Sequence, residues 1–190
     1  MTISSTSDLI QHCLDRHNAG DPAARDELVQ YCQQRLRVLV RKMLRRFPNV
    51  HRWEDTSDVF QNVLIRLDRT LRQVTLGTVR DFFQLAACQI RRELIDLSRQ
   101  HKQVQEQLPD WAEPADNSAN PMSLARWGEI HTFIAALPEE VREPFDLIFY
   151  QGLSQPEAAR ILGVSLRTLK RRWMDARLRL MNWLGSEFSL

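Results

Sequence analysis

The sequence predicts an all-α protein made of two helical domains that a flexible linker joins. Apolar residues recur at steps of three and four along most of the 190 residues, which is the spacing typical of amphipathic helices. We find no convincing alternation of polar and apolar residues, the pattern that would predict strands, and glycine is scarce, with six in the chain. An acidic stretch that contains several prolines interrupts the helical pattern after residue 102, and it predicts the linker.

The first part of the chain is predicted to hold four helices. The first helix ends near Gly20, and Asp21–Pro22 begins the second with a capping residue followed by proline. The second helix has a basic outer face and stops before Pro48. The third helix begins near Thr56, and the fourth covers roughly 79–100 and finishes in a run of basic residues.

Residues 103–122 are predicted to be the linker, since they are polar, acidic and interrupted by prolines. Such a segment buries too little apolar surface to fold alone. It separates an N-terminal domain, residues 6–102, from a C-terminal domain, residues 123–186. We expect the two domains to move independently in the free protein.

The C-terminal domain contains the pattern of a helix-turn-helix. Ser154 and Glu157 have the spacing of a capping box at the start of its first helix. Gly163 can adopt the positive φ that ends a helix, and Ser165 then caps the second helix. The small Ala159 lets the two helices cross closely through a short turn.

The second helix of this motif is strongly basic on the face opposite its apolar stripe. Between Ser165 and Leu180 it has six basic residues and a single acid, whereas the net charge of the whole chain is only +2. A helix with an apolar back and a basic front fits the phosphate-lined major groove of DNA. Lys170, Arg171 and Met174 are expected to face the bases, with neighbouring arginines on the backbone. The candidate DNA-binding residues of this helix are Arg167, Thr168, Lys170, Arg171, Arg172, Met174 and Arg177.

Several segments, taken in order, resemble the extracytoplasmic-function (ECF) type of sigma factor of bacterial RNA polymerase. Residues 58–62 (Asp-Val-Phe-Gln-Asn) are similar to the Asp-Leu-Val-Gln-Glu motif of that family, and residues 82–99 to its promoter-melting helix. Residues 137–143 and 149–154, together with the helix-turn-helix, resemble its domain four. The order and spacing of these segments extend the resemblance over nearly the whole chain. Residues 90–96 are most similar to a planctomycete-type subgroup.

This resemblance implies a specificity subunit that binds core RNA polymerase and the −10 and −35 elements of promoter DNA. The first domain would dock on the clamp helices of the largest subunit, while the second would contact the flap of the second largest subunit. An anti-sigma factor is a candidate further partner. The residues implied in polymerase binding are Asp58, Gln61, Asn62, Arg66 and Leu67. The residues implied in contact with the −10 element are Gln89, Arg91, Arg92 and Arg99.

Two departures from the family pattern bear on specificity. Asn62 stands where glutamate is usual and removes one charge from the expected polymerase contact. Met174 and Asp175 stand where the family often has His or Phe followed by Arg. Asp175 would repel phosphate but could accept a hydrogen bond from a cytosine amino group, so we expect an unusual −35 preference.

Other classes of protein fit the sequence less well. The histidines and the three cysteines lack metal-ligand spacing, and no nucleophile or phosphate-loop motif occurs, so no catalytic residue, metal or cofactor is expected. The chain has no apolar run of membrane-spanning length and no signal-peptide pattern, which predicts a cytoplasmic protein. Two alternatives stay open. One is a dimeric helix-turn-helix regulator that binds an operator without polymerase, and the other is an interaction adaptor that binds no DNA.

Overall fold

The computed structural model describes residues 6–46, 56–106 and 124–185, and it describes the side chains of the third helix from Gln61 onward. Within these ranges the regular structure is helical, which confirms the all-α class. A π-helical segment, Asp146–Tyr150, continues the sixth helix. The helices are α1 (Thr6–Asn18), α2 (Pro22–Arg46), α3 (Thr56–Leu71), α4 (Val79–Glu106), α5 (Leu124–Ala136), α6 (Glu139–Phe145), α7 (Gln155–Ile161) and α8 (Leu166–Leu184).

Helices α1 to α4 form where the apolar spacing predicts them. Gly20 adopts a φ of 92° in the turn between α1 and α2, a conformation that glycine reaches without steric cost. The carboxylate of Asp21 then accepts a hydrogen bond from the Ala23 amide at 2.9 Å and caps α2. Phe82 and Phe83 of α4 are fully buried, with ring centroids 5.6 Å apart. This aromatic pair belongs to an apolar cluster to which all four helices contribute.

Helix α4 is longer than the sequence pattern predicts. Its expected end lay near Gln100, but it continues to Glu106, so residues 103–106 of the expected linker are helical. The segment 101–106 is rich in lysine, glutamine and glutamate, and these residues have high helix propensity even without an apolar stripe. The remainder of the expected linker, 107–122, lies outside the described residues.

A proline and a π-helical segment shape the helix that precedes the helix-turn-helix. Pro144 lies inside α6 and has no amide hydrogen to donate to the carbonyl one turn earlier. The chain then widens into the π-helical segment, where the Gln151 amide donates to the Asp146 carbonyl at 3.2 Å. As a result Asp146 and Tyr150 are both buried, and both lie against Arg91 of α4.

The two expected domains share their apolar core. One cluster contains Phe82 of α4 together with Leu169 of α8. The second contains Ile90 of α4 together with Ile134 of α5. This packing differs from the expectation that residues 6–102 and 123–186 move independently, because each cluster combines residues from both blocks.

Helices α4 and α5 approach each other closely at Gly128. A side chain at Gly128 could not be accommodated there, since an added Cβ would lie only 2.3 Å from the Cβ of Ser98. The two helices therefore touch along nearly bare backbone at this point, as small residues allow.

Candidate nucleic-acid interface

The helix-turn-helix has the capping geometry that its sequence predicts. The Glu157 amide donates to the Ser154 hydroxyl at 3.4 Å, and the Ser154 amide donates to the Glu157 carboxylate at 2.9 Å. Gly163 has a φ of 64° in the turn. The Ser165 hydroxyl accepts from the Thr168 amide at 3.1 Å and begins α8. The Thr168 hydroxyl, 2.9 Å from that of Ser165, is also part of this cap.

The first half of α8 presents a basic surface to solvent. Arg167, Lys170 and Arg171 are exposed, and beside them Met174 keeps 49% of its surface exposed. These four side chains come from consecutive turns, so they form one continuous surface of a size that fits the major groove. The apolar stripe on the opposite side holds the helix on the protein through the buried residues Leu169, Ala176, Leu180 and Leu184.

Other charged residues of α8 interact within the protein. A guanidinium nitrogen of Arg172 lies 3.6 Å from a carboxylate oxygen of Glu140 in α6. Arg177 is half-buried and already has an interaction partner. The Asp175 carboxylate accepts a hydrogen bond from Arg179 at 2.9 Å. This ion pair leaves the unusual acid less free to meet a base edge than the sequence suggests.

The candidate DNA-binding residues of α4 divide into two groups. Arg92 and Arg99 are exposed. Gln89 and Arg91 are buried, at 4% and 7% exposure. Asp146 and Tyr150 of the C-terminal block cover Arg91, and the contact of Gln89 and Arg91 with a DNA strand stays a prediction.

Arg91 is held by a buried polar cluster that sequence reasoning missed. Its guanidinium donates to the carboxylate of Asp146, and its Cζ lies 5.7 Å from the ring centre of Tyr150. The hydroxyl of Tyr150 shares a 2.6 Å hydrogen bond with Nδ1 of His131. A signal was present in the sequence: Glu143 and Asp146 interrupt the apolar face of a helical segment at a spacing of three, which is unusual for carboxylates without partners.

A second ion pair extends this cluster toward the surface. Arg80 of α4 binds Glu143 of α6 through two hydrogen bonds, from Nε at 2.6 Å and from a terminal nitrogen at 2.9 Å. Gln84 also donates to Glu143. The Glu143 side chain is only 4% exposed, so the carboxylate is desolvated and depends on these donors. We call Arg80, Arg91, Glu143 and Asp146 the charged seam between the two blocks.

Burial shifts the pKa of Asp146 in the charged seam and of His131, which is hydrogen-bonded to Tyr150. Burial raises the pKa of Asp146 to about 7, although Arg91 and Arg142 oppose the rise. Burial lowers the pKa of His131 to about 3, with a smaller contribution from the positive charge of Arg91. The imidazole of His131 is therefore neutral near pH 7.

Two of the α3 residues implied in polymerase binding, Asn62 and Arg66, contact carboxylates of α4. Gln61 is exposed, while the Asn62 amide donates to Glu93 at 2.9 Å. Arg66 lies 3.1 Å from Glu93 and also binds an aspartate of α4, Asp96, at 2.9 Å. Asn62 thus contacts a neighbouring carboxylate where the family pattern would place a second acid.

The other two residues implied in polymerase binding are Leu67 and Asp58. Leu67 is 1% exposed and belongs to the core, and its expected contact with polymerase stays a prediction. The side chain of Asp58 lies outside the described residues.

The cysteines and acidic residues of the described ranges do not form a metal-binding cluster. No group of three or more His, Cys, Asp or Glu residues in these ranges could hold a metal ion. Cys13 and Cys32 are buried, and burial raises the thiol pKa to about 11 and about 12. Among the helices of the described part of the chain, none is long and apolar enough to cross a membrane.

Comparison with known proteins identifies the family. The ECF sigma factor family matches residues 7–188. The chain belongs to the ECF sigma factor family. Its general role is therefore that of an RNA polymerase sigma factor, a class of DNA-binding transcription proteins that are not enzymes. Among solved structures, one of CnrH in complex with the cytosolic domain of CnrY has 21% identity to this sigma factor, with 95% of this chain and 99% of that chain covered and a TM-score of 0.39.

Proposed function

We propose that this sigma factor directs promoter-specific initiation by reading the −35 element through α8 and the −10 element through α4. The observation that supports this most strongly is the exposed surface of Arg167, Lys170, Arg171 and Met174 on a capped, core-anchored helix. Arginine and lysine pair well with guanine in the major groove, and an apolar side chain can contact a thymine methyl group. Arg92 and Arg99 are the exposed candidates for the −10 strand.

Binding to core polymerase is the second part of the proposal. Gln61 and Asn62 are adjacent on α3, with Arg66 one turn later and Asp58 one turn earlier. These residues would dock on the clamp helices of the largest subunit. The second block would contact the flap of the second largest subunit. An anti-sigma factor as regulator, a cytoplasmic site of action and the planctomycete-type subgroup stay predictions.

The decisive experiment is run-off transcription with core polymerase, followed by selection of active sequences from a randomised promoter pool. We expect transcription to require the full chain and both promoter elements, and the free protein to bind duplex DNA only weakly. Tight, dimeric binding to a duplex operator without polymerase would instead favour the conventional regulator. Failure to bind both polymerase and DNA would favour the adaptor.

Base reading and phosphate binding can be separated within α8. Replacing Arg171 by alanine should cost about 1–3 kcal/mol at the preferred −35 sequence and relax discrimination at one position, because a base contact is lost. Replacing Arg167 by alanine should weaken all sequences similarly and reduce the salt slope by about one, because one phosphate contact is lost.

The measurement is promoter binding by the holoenzyme across −35 variants at several salt concentrations. The two arginines are a matched pair, since both are exposed and lie one turn apart. Equal losses for both substitutions on every −35 sequence would show that Arg171 does not read a base.

A further inference from the structure

The sequence of α8 places an acid between two arginines. Asp175 lies one turn after Arg171 and one turn before Arg179, and residues four apart are neighbours on a helix surface. Asp175 can therefore pair with either arginine. Arg171 is the proposed base reader, and carboxylates bind the arginine fork through strong, charge-assisted hydrogen bonds. The partner of Asp175 thus decides whether a carboxylate competes with DNA for the guanidinium of Arg171.

The structure pairs Asp175 with Arg179. Nε of Arg179 donates to Oδ1 of Asp175 at 2.9 Å, and the side chains of Asp175 and Arg179 are 41% and 48% exposed. This order along the helix is the favoured one, because an acid that precedes its base by four residues forms a stronger pair than the reverse. Arg171 and Asp175 have the reverse order, and Arg171 is exposed.

A second carboxylate lies near Arg179 on the same flank of α8. Residues 172, 175 and 179 follow each other at steps of three and four, so they share one side of the helix. On that side a guanidinium nitrogen of Arg172 lies 3.6 Å from a carboxylate oxygen of Glu140 in α6. The hydrogen bond to Asp175 raises the pKa of Arg179, and the charge of Glu140 adds to the rise. Two acids and two arginines thus balance each other on this flank, and Asp175 is bound toward the C-terminal end of α8, away from Arg171.

We propose that Arg179 is a positioning residue of the −35 surface, which binds the Asp175 carboxylate and so leaves Arg171 available to a base. This inference rests on the proposed function, in which Arg171 reads the −35 element. An exposed ion pair contributes little to folding stability, so the main consequence of this pair is where it holds the carboxylate. Arg179 acts through Asp175, without a DNA contact of its own.

The pairing can be measured in the free protein by NMR, from the rate at which each arginine Nε hydrogen exchanges with water. A carboxylate that accepts a hydrogen bond from Nε slows this exchange. We expect Arg179→Ala to slow the exchange at Arg171 by about twofold, because Asp175 then pairs with the arginine one turn earlier. Adding Asp175→Asn should return the Arg171 rate to its wild-type value. Unchanged exchange at Arg171 in Arg179→Ala would overturn the proposal.

The consequence for promoter recognition is measured by binding of the holoenzyme across −35 variants. Arg179→Ala should reduce discrimination by about twofold at the one position that Arg171→Ala also affects, because the carboxylate now competes for Arg171. Arg179→Lys is the matched control and should keep the wild-type discrimination, since lysine also pairs with an acid four residues earlier. Adding Asp175→Asn to Arg179→Ala should restore the discrimination, because no carboxylate then competes.

The outcomes separate this role from a direct DNA contact and from the proposed function. If Arg179→Ala weakens every −35 sequence equally and Asp175→Asn restores nothing, Arg179 binds a phosphate and the proposal fails. Loss of discrimination in Asp175→Asn alone would show that Asp175 itself reads a base, and it would also overturn the proposal. A wild-type holoenzyme without any −35 preference would end the proposed function and this inference with it. A wild-type preference that Arg179→Ala leaves unchanged overturns this inference alone.

Discussion

At the scale of single residues, Asp146 and His131 make opposite contributions to the pH dependence of stability. The folded pKa of Asp146 is about 7, above its ordinary 3.8. Its contribution to the unfolding free energy is therefore complete below pH 3.8 and is lost as pH rises through 7. The folded pKa of His131 is about 3, below its ordinary 6.5. Its contribution is complete above pH 6.5 and is lost as pH falls toward 3. Between pH 3.8 and 6.5 the two contributions to the unfolding free energy change with pH in opposite directions, each by up to about 1.4 kcal/mol per pH unit.

Because these two pH dependences of the unfolding free energy nearly cancel, replacing either residue should reveal the pH dependence that the other one causes. From pH 6.5 to pH 5, Asp146→Asn should lose about 1.5 kcal/mol of unfolding free energy, because unfolding lets His131 take up a proton. Over the same range His131→Gln should gain about 2 kcal/mol, because folded Asp146 binds its proton more tightly than the unfolded chain does. Urea unfolding at each pH measures both, with the wild-type protein as the nearly flat reference. Slopes of the same sign in the two variants would contradict the pKa assignments.

At the scale of elements, local sequence determines the helix-turn-helix more completely than it determines α4 and α6. The capping box, the glycine turn and the second cap each depend on residues within four positions, so they can be predicted from the sequence. The last turn of α4 has no apolar periodicity to indicate it, although its residues favour a helix. In α6, Pro144 ordinarily predicts a helix end. The chain instead continues into the π-helical segment, where tertiary contacts of Asp146 and Tyr150 with α4 hold it.

The cap of α7 gives a prediction at this scale. Ser154→Ala removes the acceptor for the Glu157 amide and should cost about 1 kcal/mol of unfolding free energy. Ser154→Thr is the matched control, since it keeps a hydroxyl that can cap the helix. Chemical unfolding of the three proteins measures the difference. Equal stability of the alanine and wild-type proteins would mean that water satisfies the backbone amides at the start of α7 without the capping box.

At the scale of the whole molecule, the packing of the two blocks could not be predicted from the sequence. The composition of residues 103–122 indicates only that the segment does not fold alone, and it contains no information about whether the blocks dock. Docking depends on contacts between residues far apart in the chain, such as Arg80 with Glu143 and Arg91 with Asp146. Glu143 and Asp146 interrupt an apolar helix face, which indicates that they have partners, but the sequence does not indicate that the partners are Arg80 and Arg91. Their burial follows from a surface that only the assembled bundle creates.

The shared core predicts that the two blocks of the free protein unfold as one cooperative unit. Phe82→Ala should cost about 3–5 kcal/mol, because it removes a fully buried ring from the cluster that also contains Leu169 of α8. Native-state hydrogen exchange should then show reduced protection in α8 as well as in α1. Leu178→Ala is the control, since Leu178 is 50% exposed on α8 and its loss should change stability by no more than about 0.5 kcal/mol. If Phe82→Ala lowers protection only within residues 6–106, the blocks are separate folding units, and the cluster between them adds little to stability.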